Sequence, residues 1–144
     1  MRIKLICVGR VKEQFIAQGC SLYLERLERL QRLEVIEVTD LDTDKEGKLI
    51  LAKCKELPIY AFSEEGEEFT SIKFADLIRN LTSATGDVAF VIGGPDGLSD
   101  EVKKKAKKII SLSKMTFTHE MARLILLEQI YRAVAILKGM PYHK

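Results

Sequence analysis

The segment Val88-Ala89-Phe90-Val91-Ile92-Gly93-Gly94 decides the fold of this chain. Five consecutive apolar residues, three of them β-branched, end at a pair of glycines. An uninterrupted apolar run of this length is typical of a strand that is buried on both faces, as in parallel sheets. We therefore predict a central parallel strand that delivers a glycine-rich turn to one edge of a sheet.

Strands and helices alternate on both sides of this segment. Apolar, β-branched runs predict strands, whereas apolar residues at spacings of three and four predict helices. A sheet that alternates with helices is mostly parallel, so we predict an α/β fold with five to six strands. The strands are predicted at 3–8, 33–38, 59–62 and 88–92, with a polar turn at 63–68 and a short strand or loop at 111–117. The helices are predicted at 11–32, 49–57, 70–82, 99–110 and 118–138, and the polar segment 39–48 is either a loop or the start of a helix.

The composition indicates one globular domain. Of 144 residues, 47% are hydrophobic and 31% are charged, and the formal net charge is only +2. Chains of about 150 residues usually form one domain, so we predict a single domain over residues 1–144. The nearly neutral charge argues against a polycation that coats nucleic acid, and any contact with RNA must depend on a local surface.

The cysteine and hydropathy patterns argue against disulfides, metal sites and membrane spans. Cys7, Cys20 and Cys54 are far apart and form no C-x-x-C pair, which disfavours disulfide scaffolds and zinc ribbons. The apolar stretch from Met121 to Leu137 contains four charged or amide side chains, which a bilayer tolerates poorly. We predict a cytoplasmic protein with neither a metal nor a membrane partner.

The run Ile92-Gly93-Gly94-Pro95-Asp96-Gly97-Leu98 is the best candidate for a ligand-binding segment. Ligands of open α/β sheets lie beyond the carboxyl ends of the strands, and glycine lets the backbone approach them closely. The run is neither a G-x-G-x-x-G fingerprint nor a P-loop. By pattern alone it is either a binding loop or an ordinary turn between a strand and a helix.

Five lysines follow on the next predicted helix. Its apolar residues recur at helical spacing and form the inward stripe, so the lysines face outward. They form either a solvated helix face or a phosphate-binding surface. The lysines are Lys103, Lys104, Lys105, Lys107 and Lys108, and the stripe consists of Val102, Ala106, Ile109 and Ile110.

The last predicted helix is apolar around more than one face. Between Met121 and Leu137, Glu128 and Arg132 are spaced to pair one helical turn apart. A helix that is apolar nearly all round is either central in its own chain or shared with a second subunit. In a domain this small we expect it to be shared, which predicts a homodimer.

The final residues, Pro141-Tyr142-His143-Lys144, place an aromatic ring, an imidazole and an ammonium group together. Aromatic stacking beside a cation is a common way to grip an unpaired base. The tail is therefore either a frayed terminus or a nucleic-acid contact. The other histidine, His119, is expected to cap or pack the last helix rather than act as a base.

Together, several segments resemble one family, the SPOUT-class ribosomal RNA large subunit methyltransferases H, which methylate the ring N3 of a pseudouridine. The segments are Ile92–Leu98, Ser111–His119, Arg123–Leu124, Glu128–Ala133 and Pro141–Lys144. The resemblance covers nearly the whole chain. It implies an α/β sheet with a deep C-terminal trefoil knot, which general topology rules would reject, and an obligate homodimer.

The resemblance places S-adenosylmethionine in the knot. Backbone groups of a glycine turn and a knotted loop can bind an adenine edge without help from side chains. The family usually has a smaller aliphatic residue at position 62 and a longer segment at 39–57, so the pocket shape and the docking on the ribosome can differ. By motif match the cofactor-binding residues are Phe62, Gly93, Leu112, Ser113, Lys114, Met115, Thr116 and Phe117.

The resemblance also implies that Tyr142, His143 and Lys144 reach the substrate near the cofactor of the partner subunit. Methyl transfer is an in-line displacement on a sulfonium carbon, so the protein mainly supplies alignment and a deprotonated nitrogen. Our hypothesis is that His143, or a water that it orients, assists the loss of the N3 proton. Arg132 or Lys144 would stabilise the developing anion. The low net charge indicates that the assembled ribosome presents the target.

Three other functions remain open. The chain is alternatively a SPOUT methyltransferase of another RNA such as tRNA, a non-catalytic cofactor-binding dimer that associates with the ribosome, or a flavodoxin-like nucleotide-binding module. Binding of S-adenosylmethionine, but not of flavin or NAD, would exclude the last function. Labelled methyl transfer to ribosomes, isolated subunits and tRNA would separate the first two.

Overall fold

Strands and helices alternate along the described chain, as the sequence pattern predicts. The computed structural model describes residues 1–84 and 86–144. In these residues the elements are β1 (Arg2–Val8), α1 (Gln14–Leu27), β2 (Arg32–Val38), α2 (Thr43–Cys54), β3 (Ile59–Glu68), α3 (Ser71–Ser83), β4 (Val88–Ile92), α4 (Asp100–Lys105), β5 (Lys108–Ser111) and α5 (His119–Leu137).

β4 lies at the centre of a five-stranded sheet in the described chain. The strand order is β2-β1-β4-β3-β5, and each pair of neighbours is parallel. Every residue of β4 is buried. The predicted central parallel strand and the predicted α/β class are therefore confirmed. Because the strands are parallel, their carboxyl ends meet at one edge of the sheet, and the glycine turn after β4 lies at that edge.

Helices cover both faces of the sheet. The side chains of β4 alternate between the faces, as a strand requires. Phe90 and Ile92 belong to the core beneath α1, α3 and α5, whereas Ala89 and Val91 belong to the core beneath α2 and α4. The doubly covered sheet explains why β4 has no polar residue.

The first two helices differ at their ends from the predicted bounds. α1 is shorter than the predicted 11–32. α2 begins at Thr43, six residues before the predicted start, because the Asp42 side chain caps it by accepting a hydrogen bond from the N–H of Lys45 at 2.9 Å. The polar first turn of α2 carries little apolar periodicity, and it lies in the segment 39–48 that was predicted as either a loop or a helix start.

β3 is longer than predicted. The segment 63–68, predicted as a polar turn, continues the strand after a register shift, and Glu67 and Glu68 pair with β5. Gly66 allows this pairing, since a Cβ there would lie 2.5 Å from the carbonyl oxygen of Ile109. The acidic composition of this segment hid its pairing at the edge of the sheet.

The lysine-rich region is divided between a helix and a strand. α4 ends at Lys105, and Ala106 has extended backbone. Ile109 and Ile110 therefore lie in β5 and not in an inward helical stripe, which corrects the prediction; their β-branched side chains suit a strand. The segment predicted as a short strand or loop at 111–117 is a loop beyond Ser111.

α5 confirms the predicted start and stop signals. The Thr118 hydroxyl caps it by accepting a hydrogen bond from the N–H of Met121 at 3.1 Å, and the chain turns away at Gly139, where φ is +69°. α5 contacts both α1 and α3, and side chains such as Leu126 and Ile130 are fully buried within its own chain. The central position of α5 accounts for much of its apolar circumference, and the homodimer stays a prediction.

Candidate functional site

A cavity of about 900 Å³ lies at the carboxyl edge of the sheet. Its walls are the β3 segment after Phe62, the glycine turn after β4, and the loop between β5 and α5. Ligands of parallel α/β sheets bind at this edge, and the volume is in the range of small-molecule sites. Most of the predicted cofactor residues line it, namely Phe62, Gly93, Leu112, Ser113, Met115, Thr116 and Phe117.

Lys114 is the predicted cofactor residue that does not line this cavity. It belongs to the same loop, but its ammonium nitrogen lies 3.7 Å from a carboxylate oxygen of Glu68 on β3. Its side chain therefore points to β3 and not into the cavity.

Backbone forms the cavity wall at the end of β4. Gly94 and Gly97 face each other in a tight turn, in which the N–H of Gly97 donates to the carbonyl of Gly94 at 3.0 Å. A Cβ on Gly93 would lie 2.6 Å from the carbonyl carbon and oxygen of Gly97. The glycine-rich run is therefore a tight turn and also a wall of the cavity, and the residue type at position 93 is set by the turn.

Hydroxyl groups hold the loop between β5 and α5. The Ser111 hydroxyl donates to the carbonyl of Ser113 at 2.9 Å, and the Ser113 hydroxyl accepts from the N–H of Met115 at 3.0 Å. The Thr116 hydroxyl bonds the carboxylate of Glu64 and so joins the loop to β3. These contacts come from side chains, and any backbone N–H or C=O group of the loop that a ligand removes from water needs a hydrogen-bond partner on that ligand.

The cavity lining carries more negative than positive charge. Glu65 accepts a hydrogen bond from Lys103 at 2.7 Å, which holds the pKa of this carboxyl below its usual value. Glu120 accepts from the backbone N–H groups of Glu13 and Lys12, which likewise lower its pKa. Ionised carboxylates around a cavity favour a positively charged ligand. The acidic lining residues are Glu13, Glu64, Glu65, Asp96 and Glu120, and the basic ones are Lys103 and His119.

The lysine run is partly neutralised within the chain. Lys103 pairs with Glu65, and Lys108 lies 3.2 Å from Glu67. Both acidic partners belong to the extended part of β3 that was predicted as a turn. Lys103 also lines the cavity, and these two lysines, which both pair with β3, are not simply a solvated helix face.

A buried arginine fixes the sheet edge beside the cavity. The Arg123 side chain is only 5% exposed; it pairs with Glu37 and donates to the carbonyl of Gly9 at 2.9 Å. It thereby joins α5 to the ends of β1 and β2. The nearby Cys7 thiol is buried, and burial raises its pKa to about 12. Cys7 is therefore a neutral core side chain and not a nucleophile.

The residues of the chain terminus dock on α5 instead of fraying. The guanidinium carbon of Arg132 lies 4.8 Å from the ring centroid of Tyr142, and its Nη1 lies 3.1 Å from Nδ1 of His143. Burial and hydrogen bonding raise the pKa of Tyr142, so its phenol is neutral. Lys144 follows as an exposed last residue. The structure thus brings three of the four residues predicted to act on the substrate into direct contact.

Glu128 and Tyr23 complete this arrangement, which we call the tail cluster: Tyr23, Glu128, Arg132, Tyr142 and His143. The Tyr142 hydroxyl donates to Glu128 at 2.8 Å and lies 3.2 Å from the Tyr23 hydroxyl. The pairing of Glu128 with Arg132, predicted from their spacing, is confirmed at 2.6 Å. The sequence analysis gave Arg132 a role on the substrate but gave Glu128 only this structural pairing, because no sequence signal shows that Tyr142 folds back onto Glu128.

The tail cluster and the cavity are separated along α5. This helix lines the cavity through His119 and Ala122, whereas the tail cluster is attached at Glu128 and Arg132. At 1.5 Å per residue, Arg132 lies about 15–20 Å along the helix from the two cavity residues. Arg132, Tyr142, His143 and Lys144 are absent from the described lining of the cavity. Within one chain, the predicted cofactor residues and the predicted substrate residues are therefore far apart.

The described residues show neither a membrane-spanning helix nor a metal site. Within residues 1–84 and 86–144, no helix is long and apolar enough to cross a membrane. In the same residues, no group of three or more His, Cys, Asp or Glu side chains is placed to hold a metal ion.

Comparison with known proteins decides the family. Residues 1–143 match the family described as "Predicted SPOUT methyltransferase". The chain belongs to the SPOUT methyltransferase family. A relative from Prochlorococcus marinus, named ribosomal RNA large subunit methyltransferase H, is 46% identical to this SPOUT chain over 145 residues, covering 99% of it and 96% of the relative. A relative of the same name from Streptococcus thermophilus is 42% identical over 159 residues, covering 100% of both chains. These matches confirm the resemblance on which the site residues were predicted.

Solved structures of low sequence identity share the SPOUT fold. A probable methyltransferase from Bordetella pertussis Tohama I aligns with a TM-score of 0.60 at 12% identity, covering 92% of this chain and 96% of the other. A Legionella pneumophila methyltransferase in complex with the bound cofactor SAM aligns with a TM-score of 0.52 at 15% identity, covering 92% and 66%. At these identities the likeness concerns the fold.

Proposed function

We propose that this protein transfers the methyl group of S-adenosylmethionine to N3 of a pseudouridine in large-subunit ribosomal RNA. Its family makes it a SPOUT methyltransferase, and its full-length relatives are named for large-subunit ribosomal RNA. The observation that carries the proposal is the cavity at the carboxyl edge of the sheet. Predicted cofactor residues from three separate segments converge there on one space.

The cavity fits S-adenosylmethionine in size, charge and backbone chemistry. Bound there, this cofactor supplies a methyl group activated by a positively charged sulfonium. The acidic lining, including Glu64 and Glu65, suits that charge. The turn at Gly93 and the loop 112–117 supply backbone groups for the uncharged parts of the ligand, and Phe62 supplies an apolar wall.

We infer that the working enzyme is a homodimer with a composite site. Arg132, which contacts His143, lies about 15–20 Å along α5 from the cavity residues His119 and Ala122 of its own chain, a separation that no side chain bridges. If Tyr142, His143 and Lys144 act on the target base, a second copy of the chain must bring them to the cofactor. The reacting groups are then aligned by subunit assembly, which supplies the proximity that methyl transfer needs.

Mixed dimers test the composite site. A Gly93→Ala chain has a defective cavity and an intact tail, whereas a His143→Ala chain has the opposite defects. At a cofactor concentration below the Kd, each variant alone is expected to be much slower than wild type, about 100-fold for His143→Ala. Mixing the two under conditions that exchange subunits should restore part of the wild-type rate. Additive, uncomplemented rates at all mixing ratios would contradict a site shared between chains.

We also infer that the assembled ribosome is the substrate and that the cytoplasm, where ribosomes work, is the place of action. The formal net charge of +2 is too small for tight binding of naked RNA by bulk electrostatics. Shape and local contacts with a folded ribosomal surface then have to supply the recognition. Segment 39–57, where α2 lies, is shorter than expected for the family and is a place where docking contacts would differ.

Family membership further leads us to infer the trefoil knot. Two features of the connectivity support it: β5 pairs with β3 at one side of the sheet, and α5 then returns to contact α1 and β4. A loop that crosses the chain between these elements would enclose the cofactor with backbone on several sides.

Labelled methyl transfer tests the function directly. Purified protein and S-adenosylmethionine labelled on the methyl group are incubated with ribosomes, isolated large subunits and tRNA, and the modified nucleoside is identified by mass spectrometry. The expected product is an N3-methylated pseudouridine from ribosomal RNA of assembled ribosomes. Label in tRNA alone would show that the substrate is tRNA and not large-subunit ribosomal RNA. Cofactor binding without any label in RNA would favour a non-catalytic protein of the ribosome.

A further inference from the structure

The carboxylate of Glu128 is the hub of the tail cluster. Its Oε1 accepts hydrogen bonds from Gln129 at 2.9 Å and from Nε of Arg132 at 3.3 Å. Its Oε2 accepts from Nη2 of Arg132 at 2.6 Å and from the Tyr142 hydroxyl at 2.8 Å. Burial raises the pKa of this carboxyl, but the hydrogen bonds from Arg132 and Tyr142 outweigh burial and hold it below its usual value. Glu128 is therefore an ionised acceptor with a fixed position.

Glu128 fixes the plane of the Arg132 guanidinium. Two of its three nitrogens bond the carboxylate, which is the fork geometry that an arginine and a carboxylate prefer. The guanidinium also stacks over the ring of Tyr142. The remaining nitrogen, Nη1, is then aimed at Nδ1 of His143 at 3.1 Å. The orientation of Arg132 is set on three sides before any substrate binds.

This contact determines which nitrogen of His143 carries a proton. A guanidinium offers only donors, so Nδ1 of His143 must be the acceptor. A neutral imidazole whose Nδ1 accepts carries its proton on Nε2. His143 is exposed, and Nε2 is on the opposite side of the ring from the arginine. The polar group that His143 presents is therefore an N–H donor.

We propose, resting on the proposed function, that Glu128 acts through Arg132 as a positioning residue that fixes His143 as a hydrogen-bond donor to a carbonyl oxygen of the target base. The reacting nitrogen of an imide ring lies between two carbonyl groups, and loss of its proton spreads negative charge onto their oxygens. The Nε2–H group of His143 stabilises this charge. This role replaces the assistance in proton loss that the sequence assigned to His143, since Nε2 already holds a proton and Nδ1 is occupied by Arg132.

The reaction balances without a base on the protein. The imide N–H proton passes to solvent, and its electron pair stays on the ring as the anion. The ring nitrogen then bonds the methyl carbon, the carbon–sulfur bond breaks, and its electron pair remains on sulfur. In other enzymes, removal of one donor to a developing oxyanion costs about 100- to 1000-fold in kcat.

Two substitutions of His143 separate a donor from a base. Glutamine keeps an N–H donor at the end of its side chain but has no basic nitrogen, whereas alanine removes both functions. On ribosomes, His143→Ala is expected to lower kcat about 100-fold, and His143→Gln to retain at least about a tenth of wild-type kcat. Equal losses in both variants would overturn the donor role. Because position 143 is exposed, neither substitution is expected to disturb folding.

The ring nitrogens of His143 report the tautomer directly. The chain has 2 histidines, so a nitrogen-15 spectrum of the imidazoles is simple, and His143→Gln identifies the signals that belong to position 143. The wild-type protein is expected to show the Nε2–H tautomer. A spectrum with the proton on Nδ1, or with an equal mixture of tautomers, would refute the proposal.

The role of Glu128 is tested by Glu128→Gln, which keeps the shape of the side chain and removes its charge. We expect a weaker Nε2–H preference and a kcat lowered about tenfold, with the KM for ribosomes within about threefold of wild type. Glu25→Gln, an exposed change on α1, is the matched control and should alter neither quantity. An unchanged tautomer and kcat in Glu128→Gln would remove Glu128 from the mechanism.

The spectrum tests the donor role of His143, and the activity assay tests the proposed function, so the two results can be interpreted independently. The tautomer is measured on the protein without RNA, so it remains decisive if the substrate is a different RNA. If wild-type protein methylates no RNA at all, the proposed function fails whatever the spectrum shows. If methylation occurs but the tautomer is wrong, the proposed function stands and the role of His143 as a donor is refuted.

Discussion

The substitution Gly93→Ala is expected to weaken cofactor binding strongly while leaving the sheet folded. A Cβ at this position would lie 2.6 Å from the carbonyl group of Gly97, and ordinary contact begins at 3.4 Å. The two sides of the turn must therefore separate by about 0.8 Å, and because the obstacle is backbone, no side-chain rotation relieves it. A misplacement of about 1 Å in an active site can lower the reaction rate about 100-fold.

The strain can also be expressed as free energy. Forcing an extra methyl group into a packed position typically costs about 1–3 kcal/mol, and the turn is the part of the structure that relaxes. The apo protein can relieve this strain by opening the turn. Because the turn must close again when the cofactor binds, cofactor affinity then falls by about 5- to 150-fold. Isothermal calorimetry with S-adenosylmethionine measures the change in Kd, and thermal unfolding confirms that the fold is intact.

The neighbouring substitution Gly94→Ala is the matched control. Its Cβ would meet the side chains of Val8 at 3.1 Å and Glu46 at 3.3 Å, which can shift by a few tenths of an ångström. We expect its cofactor affinity to stay within about threefold of wild type. If Gly93→Ala binds the cofactor as well as Gly94→Ala does, then the tight turn does not form the binding wall and the assignment of the site is wrong.

Three further predictions concern stability and reactivity. Gly66→Ala should lower stability by about 1–3 kcal/mol, because its Cβ would lie 2.5 Å from the Ile109 carbonyl oxygen; a normal melting temperature would contradict the pairing of β3 with β5. Backbone hydrogen bonds, chiefly from Glu13, hold the pKa of Glu120 below the ordinary value of a glutamate, so Glu120 stabilises the fold above that ordinary value and loses this contribution as pH falls through its folded pKa. The advantage of wild type over Glu120→Gln in urea unfolding should therefore shrink between pH 7 and pH 3, and a constant difference would refute the assigned cause. The three cysteines are buried, and burial raises the pKa of Cys7 to about 12, so alkylating reagents at pH 8 should label them only in denaturant.

The sequence predicted the parts of the fold that local pattern specifies. The apolar run 88–92 identified the central strand, and the glycines after it identified the turn at the ligand-binding edge. Thr118 and Gly139 marked the two ends of α5 through capping chemistry that involves only near neighbours. Seven of the eight predicted cofactor residues line one cavity, although it was family resemblance and not periodicity that selected them.

Local pattern was insufficient where long-range contacts reverse a local preference. Residues 63–68 are acidic and were predicted as a turn, yet they pair with β5 because Gly66 admits the neighbouring backbone and Lys73 and Lys108 neutralise Glu67. Pairing with β3 also places Ile109 in the strand β5 and not in the predicted helix. The apolar circumference of α5 has a similar explanation, since α1, α3 and the sheet cover it within one chain.

By itself, then, the sequence determined the alternation of strands and helices, the central strand, the capped last helix and the family. Only the tertiary structure showed that the tail docks on Glu128 through a tyrosine 14 positions away and contacts Tyr23 across 119 positions. It also separated that cluster from the cavity along α5. The physical reason is that periodicity and capping report on residues within one or two turns of each other, whereas a hydrogen bond between distant positions depends on how complete elements pack.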